Sequence, residues 1–290
     1  MANTITLAKK YVPLLDEVYK KVALTSILDS DASLAREGAN TNEIIIPKID
    51  MDGLGDYDRN SGYVNGDVTL TWQTVKFNYE RGRMFNVDAM DNEESVGLAF
   101  GKLSGEFIRT KVVPEIDAFR FATYANASGA TVVSEDLSTG EEVIKAIRAA
   151  TTKMDEEEVI AEGRILFITP TLKGLVDDLD TTKSKAVLNK FSAIIEVPQS
   201  RFYSAIELKD GKTGGEEKGG FKKAEGGKDL NFMIIEPSAI IQFPKHVVPK
   251  IVTPEQNQSA DAWKFGYRNY GLADVYENKT AGIYGHTKSV

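Results

Sequence analysis

Between Glu94 and Ala125 apolar residues recur at the helical period. Val96, Ala99, Phe100, Leu103 and Phe107 form one stripe, and Phe121 and Ala125 fall back onto it. A second stripe runs through Gly97, Gly101 and Gly105 at four-residue steps, then Ile108, Val112 and Phe119. A helix with one wet face needs one stripe, so two stripes predict a helix covered on two sides. Glycine in a helix interior costs about 1 kcal/mol against alanine. Three of them predict an element crossing close to the backbone; tolerated glycines in a mediocre helix are the alternative. Pro114 removes one backbone bond and predicts a kink or a restart. Asp91 with Glu94 three residues on is a capping-box-like start, and Gly129 is a stop. Lys102, Glu106, Arg109 and Lys111 break any apolar run long enough to span a membrane.

On the N-terminal side, residues 8–28 read as a short amphipathic helix with Tyr11, Leu14, Leu15, Val18, Tyr19, Val22 and Ile27 on its apolar side, followed by a loop. Such a tethered helix has little of its own to pack on. Glu43–Ile49 is a strand in which Pro47 argues for an edge position. An acidic, glycine-rich tip follows, with an Asn65-Gly66 turn signal. Thr69–Val87 reads as one long second strand: Leu70 and Trp72 alternate on even positions, then Val75, Phe77, Tyr79, Phe85 and Val87 on odd ones. The change at Gln73–Thr74 predicts a bulge or a twist. A two-stranded ribbon is marginal alone in water, and this one carries aromatics that contribute most when buried. Its cover is expected to be another chain.

After Ser134 the pattern turns α/β. Helices are expected over Gly140–Met154 and from Thr169-Pro170, as cap and first residue, to Leu179. Strands are expected at 164–169, 191–197, 202–208, 232–235, 247–252 and 262–270, and the end reads strand, turn, strand. Lys209–Asp229 reads as a mobile surface loop.

The chain has 290 residues, 42% hydrophobic and 27% charged, with a net charge of −8. That charge suggests no dedicated nucleic-acid-binding surface, but it does not forbid enclosing nucleic acid without gripping it. Zero cysteines removes disulfides, thiolate zinc sites and cysteine nucleophiles together. The opening residues contain no hydrophobic run of signal-peptide length, which predicts a cytoplasm-like compartment. The two histidines, His246 and His286, form no metal pattern, and there is no serine elbow. Gly211-Lys212-Thr213 lacks the earlier glycine of a phosphate loop, Ile206 standing there. Asp56, Asp58 and Asn60 begin a calcium-loop spacing that Ser61 and Asp67 fail to complete. The six lysines of residues 209–229 face five acids, so that loop is nearly neutral. No catalytic residue, cofactor site or metal site emerges, and the expectation is a protein that is not an enzyme.

Glu43–Ser95, then VVPEIDAFRFATYA from Val112, and Ile251–Tyr284 near the end together resemble the major capsid proteins of tailed bacteriophages and prophages, with the Hong Kong 97-type shell fold. The likeness runs in order over nearly the whole chain. It implies an α+β fold with an N-terminal arm at 1–42 and an extended β-ribbon loop at 43–87. A peripheral domain with the long spine helix would hold 88–133 and 245–270. An α/β axial domain would hold 134–244 and 271–290. It further implies pentamers and hexamers of an icosahedral shell enclosing double-stranded DNA without sequence-specific binding. A portal and a separate scaffolding protein, or an already processed chain, would go with it. The chain would belong to the virion and be assembled in the host cytoplasm, with no membrane role. Trp72, Phe77, Tyr79, Arg81 and Arg83 are the candidate ribbon contacts between subunits, the arginines having an intrachain role as an equal alternative. Gly97, Gly101, Gly105, Phe107 and Phe119 are the candidates for spine-helix packing. No lysine lies between Lys48 and Lys76, a departure from relatives that cross-link through a lysine on this loop. The rival readings are an encapsulin-like shell around protein cargo and a monomeric ligand-binding protein.

Overall fold

A computed structural model describes residues 23–30, 36–37, 42–90, 98–179 and 182–289. In chain order, a 3₁₀ turn at Leu24–Leu28 precedes β1 (Arg36–Glu37), β2 (Glu43–Met51), β3 (Val68–Lys76) and β4 (Tyr79–Asp88). Helix α1 (Leu98–Phe107) passes through a wide π-type turn, Ile108–Val112, into α2 (Val113–Ala125). Then come β5 (Thr131–Ser134), α3 (Gly140–Glu156), β6 (Ile165–Ile168), α4 (Pro170–Asp177), α5 (Thr182–Leu188) and β7 (Ala193–Glu196). The chain closes with β8 (Ile206–Leu208), β9 (Phe221–Lys223), β10 (Leu230–Ile235), β11 (Ile240–Val252), β12 (Ala262–Val275) and β13 (Ile283–Thr287).

One lobe is built on a five-stranded sheet in the order β5-β13-β10-β6-β7. Its central strands β6 and β10 are buried throughout, and the two-residue period divides them between two cores. Ile165, Phe167, Met233 and Ile235 face α2, where Phe121 meets Phe167 at 5.1 Å and Phe202 at 4.8 Å between ring centroids. Leu166, Ile168, Phe232 and Ile234 face Val143 and Ile147 of α3 and Leu172 and Val176 of α4. Helix α3 begins with a full capping box: Thr139 Oγ1 accepts from the Glu142 amide, and the Glu142 carboxylate accepts from the Thr139 amide. Thr169 makes no such side-chain cap; Pro170 at the first helical position is what starts α4.

The second lobe is a three-stranded sheet, β11-β12-β4, covered by α1 and the start of α2. Phe107 packs on Phe85 at 4.8 Å and reaches Phe265 and Tyr267. Pro244 and Pro249 sit on β11, the edge strand, where a missing donor costs no ladder bond. Strands β11 and β12 run through both lobes. A register shift between Pro244 and His246 separates Ile241 and Phe243, packed beside the first lobe, from Val247 and Ile251 in the second. The sequence division at residues 244/245 and 270/271 therefore falls inside continuous strands.

Both cores share the helix, but they divide it along its length and not by stripe: Phe121, Tyr124 and Ala125 join the first core, while Phe107 of one stripe joins Ile108 and Val112 of the other, with Val113 and Ile116, in the second. The helix restarts at Pro114, which stands in the first turn of α2 just after the wider turn at Ile108–Val112. The helix ends at Ala125, and Gly129, at φ 93°, turns the chain away. Its expected start at Asp91–Glu94 lies outside the described residues, as do residues 8–22 of the expected N-terminal helix. The described remainder of that helix, Leu24–Leu28, is a 3₁₀ turn.

Three further expectations change. The second ribbon strand stops at Lys76, so β4 belongs to the sheet of the second lobe and not to the ribbon. The side chain of Asn78 makes the break, donating to the Ala273 carbonyl and accepting from its amide. No bulge lies at Gln73–Thr74: the register runs unbroken from Glu43 opposite Lys76 to Met51 opposite Val68. Residues 209–229 hold β9, paired back onto β8, and the structured turns that join the two. There Asp210 accepts from two amides and the Thr213 hydroxyl, bonds that pull its carboxyl down to about 2.

Gly140 starts α3 under α4, where an added Cβ would lie 2.2 Å from the Leu175 carbonyl oxygen. Gly140→Ala is expected to cost roughly 1–3 kcal/mol by forcing the helices apart, read as a lower Tm; an unchanged Tm would refute the close packing. His286, 1% exposed, stacks on Phe232 at 4.8 Å, and its Nδ1 faces the Asn231 amide nitrogen at 3.1 Å. That amide donates to the Glu135 carbonyl as well, and His286 Nε2 has no hydrogen-bond partner among the described residues. Burial lowers the imidazole from its ordinary 6.5, against an opposing pull from Glu135. In the unfolded chain the ring takes its proton first, so this contribution to stability is complete above pH 6.5 and shrinks as the pH falls below it. His286→Gln should flatten that part of the stability–pH curve, and an unaltered slope would contradict it.

Candidate self-association surfaces

The ribbon of β2 and β3 carries two faces whose chemistry exchanges halfway along. Near the base, Ile44, Ile46 and Val75 are buried against Ile241, Phe243 and Leu272 of their own chain. Farther out the same face is polar, with Lys48 and Asp50 beside Thr69 and Thr71. The opposite face does the reverse. There Pro47 lies opposite Trp72, Ile49 opposite Leu70, and Met51 opposite Val68. Trp72 is 42% exposed, Leu70 53% and Met51 66%. Nine-residue strands reach about 30 Å, and the tip beyond them exposes Leu54, Tyr57, Tyr63 and Val64. Between Asp50 and Asp67 five aspartates stand against Arg59 alone, a net −4. The Asp58 carboxylate accepts from the amides of Asn60 and Ser61, bonds that lower its pKa and make it a turn former.

A cleft of about 890 Å³ opens between α1–α2, β4 and the β8–β9 hairpin. Its apolar lining includes Phe85, Leu103, Phe107, Phe221 and Tyr267, and its charged lining Arg81, Arg83, Lys111, Lys209, Lys218, Glu106, Glu115 and Asp210. Five cations thus face three carboxylates, and each carboxylate is engaged locally: Glu106 by Arg109, Glu115 by Arg81, and Asp210 by its own turn. The cleft presents net positive charge over an apolar floor.

The structure distributes the sequence candidates unevenly. Trp72 stands on the exposed ribbon face. Phe77 packs on Tyr270 at 4.9 Å, with Lys245 Nζ 4.6 Å above its ring. Tyr79 is 6% exposed; it stacks on Phe119 at 4.9 Å and donates its hydroxyl to Glu115. Arg81 pairs with Glu115 at 2.8 Å and donates to the Lys209 carbonyl, while Arg83 donates to the Glu217 carbonyl. Phe77, in the link after β3, packs at the ribbon base, and Tyr79, Arg81 and Arg83 make intrachain contacts because β4 is a sheet strand and not ribbon. Phe107 and Phe119 pack between the long helix and the β11-β12-β4 sheet. Gly105 has open space around an added Cβ, so no described part of the chain crosses close to it. Gly97 lies outside the described residues, and Gly101 belongs to α1. Sequence reading missed Pro47, Ile49, Met51 and Val68 as sharers of one ribbon face with Trp72; their alternation was visible, but the register that lines them up was not.

Among the described residues no cluster of three or more histidine or acidic side chains suits a metal, and no helix is long and apolar enough to cross a membrane. No protein-family model and no curated protein sequence matches the chain. Solved structures do. A structure from Mycobacterium phage Che8 aligns over 91% of this chain and 90% of its own, with TM-score 0.61 and 14% identity. The capsid of Staphylococcus phage Andhra aligns over 90% and 84%, with TM-score 0.56 and 11% identity. A virus-like particle from Pyrococcus furiosus aligns over 96% and 98%, with TM-score 0.56 and 12% identity. The likeness covers at least nine-tenths of the chain, which has the α+β shell fold of phage capsid proteins.

Proposed function

We propose that the chain is the major capsid protein of a tailed phage, self-associating into the pentamers and hexamers of an icosahedral shell around double-stranded DNA. The observation that carries this reading is the outer ribbon face, where Ile49, Met51, Val68, Leu70 and Trp72 are all at least 42% exposed. Exposed apolar surface of that extent marks an interaction site, and the shared fold supports a second copy as its cover. Charge supports the same partner, since the net −4 ribbon tip complements the basic cleft. With a net charge of −8, the shell encloses DNA without reading its sequence. A separate scaffolding protein and a portal complete the reading, with assembly in the host cytoplasm and the virion as destination. A shell around protein cargo is the second reading, since the exposed ribbon face would serve a shell of either content. Electron microscopy of particles from the expressed chain, with their nucleic-acid content, separates the two.

Trp72→Ala combined with Leu70→Asp should leave a soluble chain with nearly unchanged Tm, because both positions are exposed in the single copy. Removing either side chain from a buried interface would weaken association by roughly 1.5–3 kcal/mol, so shells should disappear from sedimentation profiles; normal shells would refute the reading. Lys111→Glu with Lys218→Glu should weaken assembly at low salt and less so at high salt, whereas equal assembly at both would exclude the cleft as a charged receptor.

A further inference from the structure

Residues 23–30 cross α2 as a short strap whose fastening is mainly polar. Ala23 packs with Tyr79 and Ile116 in the second lobe, and Leu28, 2% exposed, is sunk in the core of the first. Between these ends the 3₁₀ turn has free amides at its start and no cap from its own side chains. Asp117 of α2, fully buried, supplies the cap from more than ninety residues away. Its carboxylate accepts from the amides of Leu24 and Thr25 at 3.2 and 3.1 Å, and from the Thr25 hydroxyl at 2.7 Å. The Thr25 oxygen in turn accepts from Arg120 at 2.8 Å. Past the turn, Gln242 of β11 donates to the Thr25 carbonyl and the Asp29 carboxylate, and Ser30 exchanges bonds with Gln242 and Ile240.

We propose that residues 23–30 form a releasable brace between the two lobes, with Asp117 as its catch. Two features make release feasible without unfolding. The strap is no strand of either main sheet, so it can leave without cutting a ladder. Its departure leaves Asp117 paired with the Arg201 guanidinium at 3.0 Å, while Arg120 exchanges Thr25 and Asp29 of the strap for water. Water can replace the polar bonds that the strap gives up. The brace spans the junction where β11 shifts register between Pro244 and His246, so its release removes a cross-tie at the point where the lobes meet. Because residues 1–22 continue directly into it, a load on that segment would act on the catch.

The test is hydrogen–deuterium exchange on the full chain carrying Asp117→Ala, with Thr25→Val as a milder variant that leaves the carboxylate paired to Arg201. Amides of 24–30 should exchange roughly tenfold faster or more, while β10 in the first core keeps its protection. Equal acceleration in β10, or no acceleration in 24–30, would overturn the strap as a separate unit. The chain has no cysteine, so Met90→Cys and Ile160→Cys, both at exposed positions on different lobes, accept spin labels cleanly. A broader inter-lobe distance distribution in the Asp117→Ala background supports the brace, and a distribution identical to that of the parent overturns it.

Discussion

Helix α2 is buried on both sides, yet it carries Glu115, Asp117 and Arg120, each at most 8% exposed. A charge taken out of water is tolerable only when it is paired and hydrogen-bonded. Each of these three therefore requires a partner brought from elsewhere in the chain. Glu115 receives Tyr79 and Arg81 from β4, Asp117 receives the strap and Arg201, and Arg120 receives Thr25. The apolar residues of the same helix join the cores of both sheets. Its charged residues then decide where the strap, the base of β4 and the Arg201 turn attach.

Arg81 carries this attachment one step outward. From Glu115 it reaches the backbone of the β8–β9 hairpin, and Arg83 seats beside Gly211 and Gly219 of that loop, where an added Cβ would come within 3.3 Å of its guanidinium. Backbone carbonyls held by a guanidinium fork form a wall that is set by geometry more than by side-chain identity. The basic cleft is the space left between this wall and α1.

The ribbon follows a different rule. A strand pair leaving a globular body has two faces and only one body to pack on. At its base the inward face is apolar and covered; farther out the apolar residues move to the other face while the pairing register stays constant. The exchange is chemical and needs no bulge, and it directs the outer half toward something that is not its own lobe. Shell proteins with the same fold at 14% identity or less satisfy the backbone with other side chains, as expected when a fold needs only the right alternation of apolar and polar positions.

The sequence alone determined the elements whose signal is local. The two stripes of the long helix, the restart at Pro114, the helix from Gly140 and the apolar run at 165–168 all follow from periodicity or from a single residue. It determined the absence of cysteine chemistry and the exposed aromatic at Trp72. What it left undecided depends on partners far along the chain. Whether Tyr79 and Arg81 belong to the ribbon or to the sheet turned on Asn78 meeting Ala273 and on Glu115 waiting beneath them. The cap on Leu24–Leu28 came from Asp117, a residue that reads locally as one acid on a helix. Such contacts exist only once α2 has been buried between two sheets, because burial is what turns an ordinary charge into a group that must be paired.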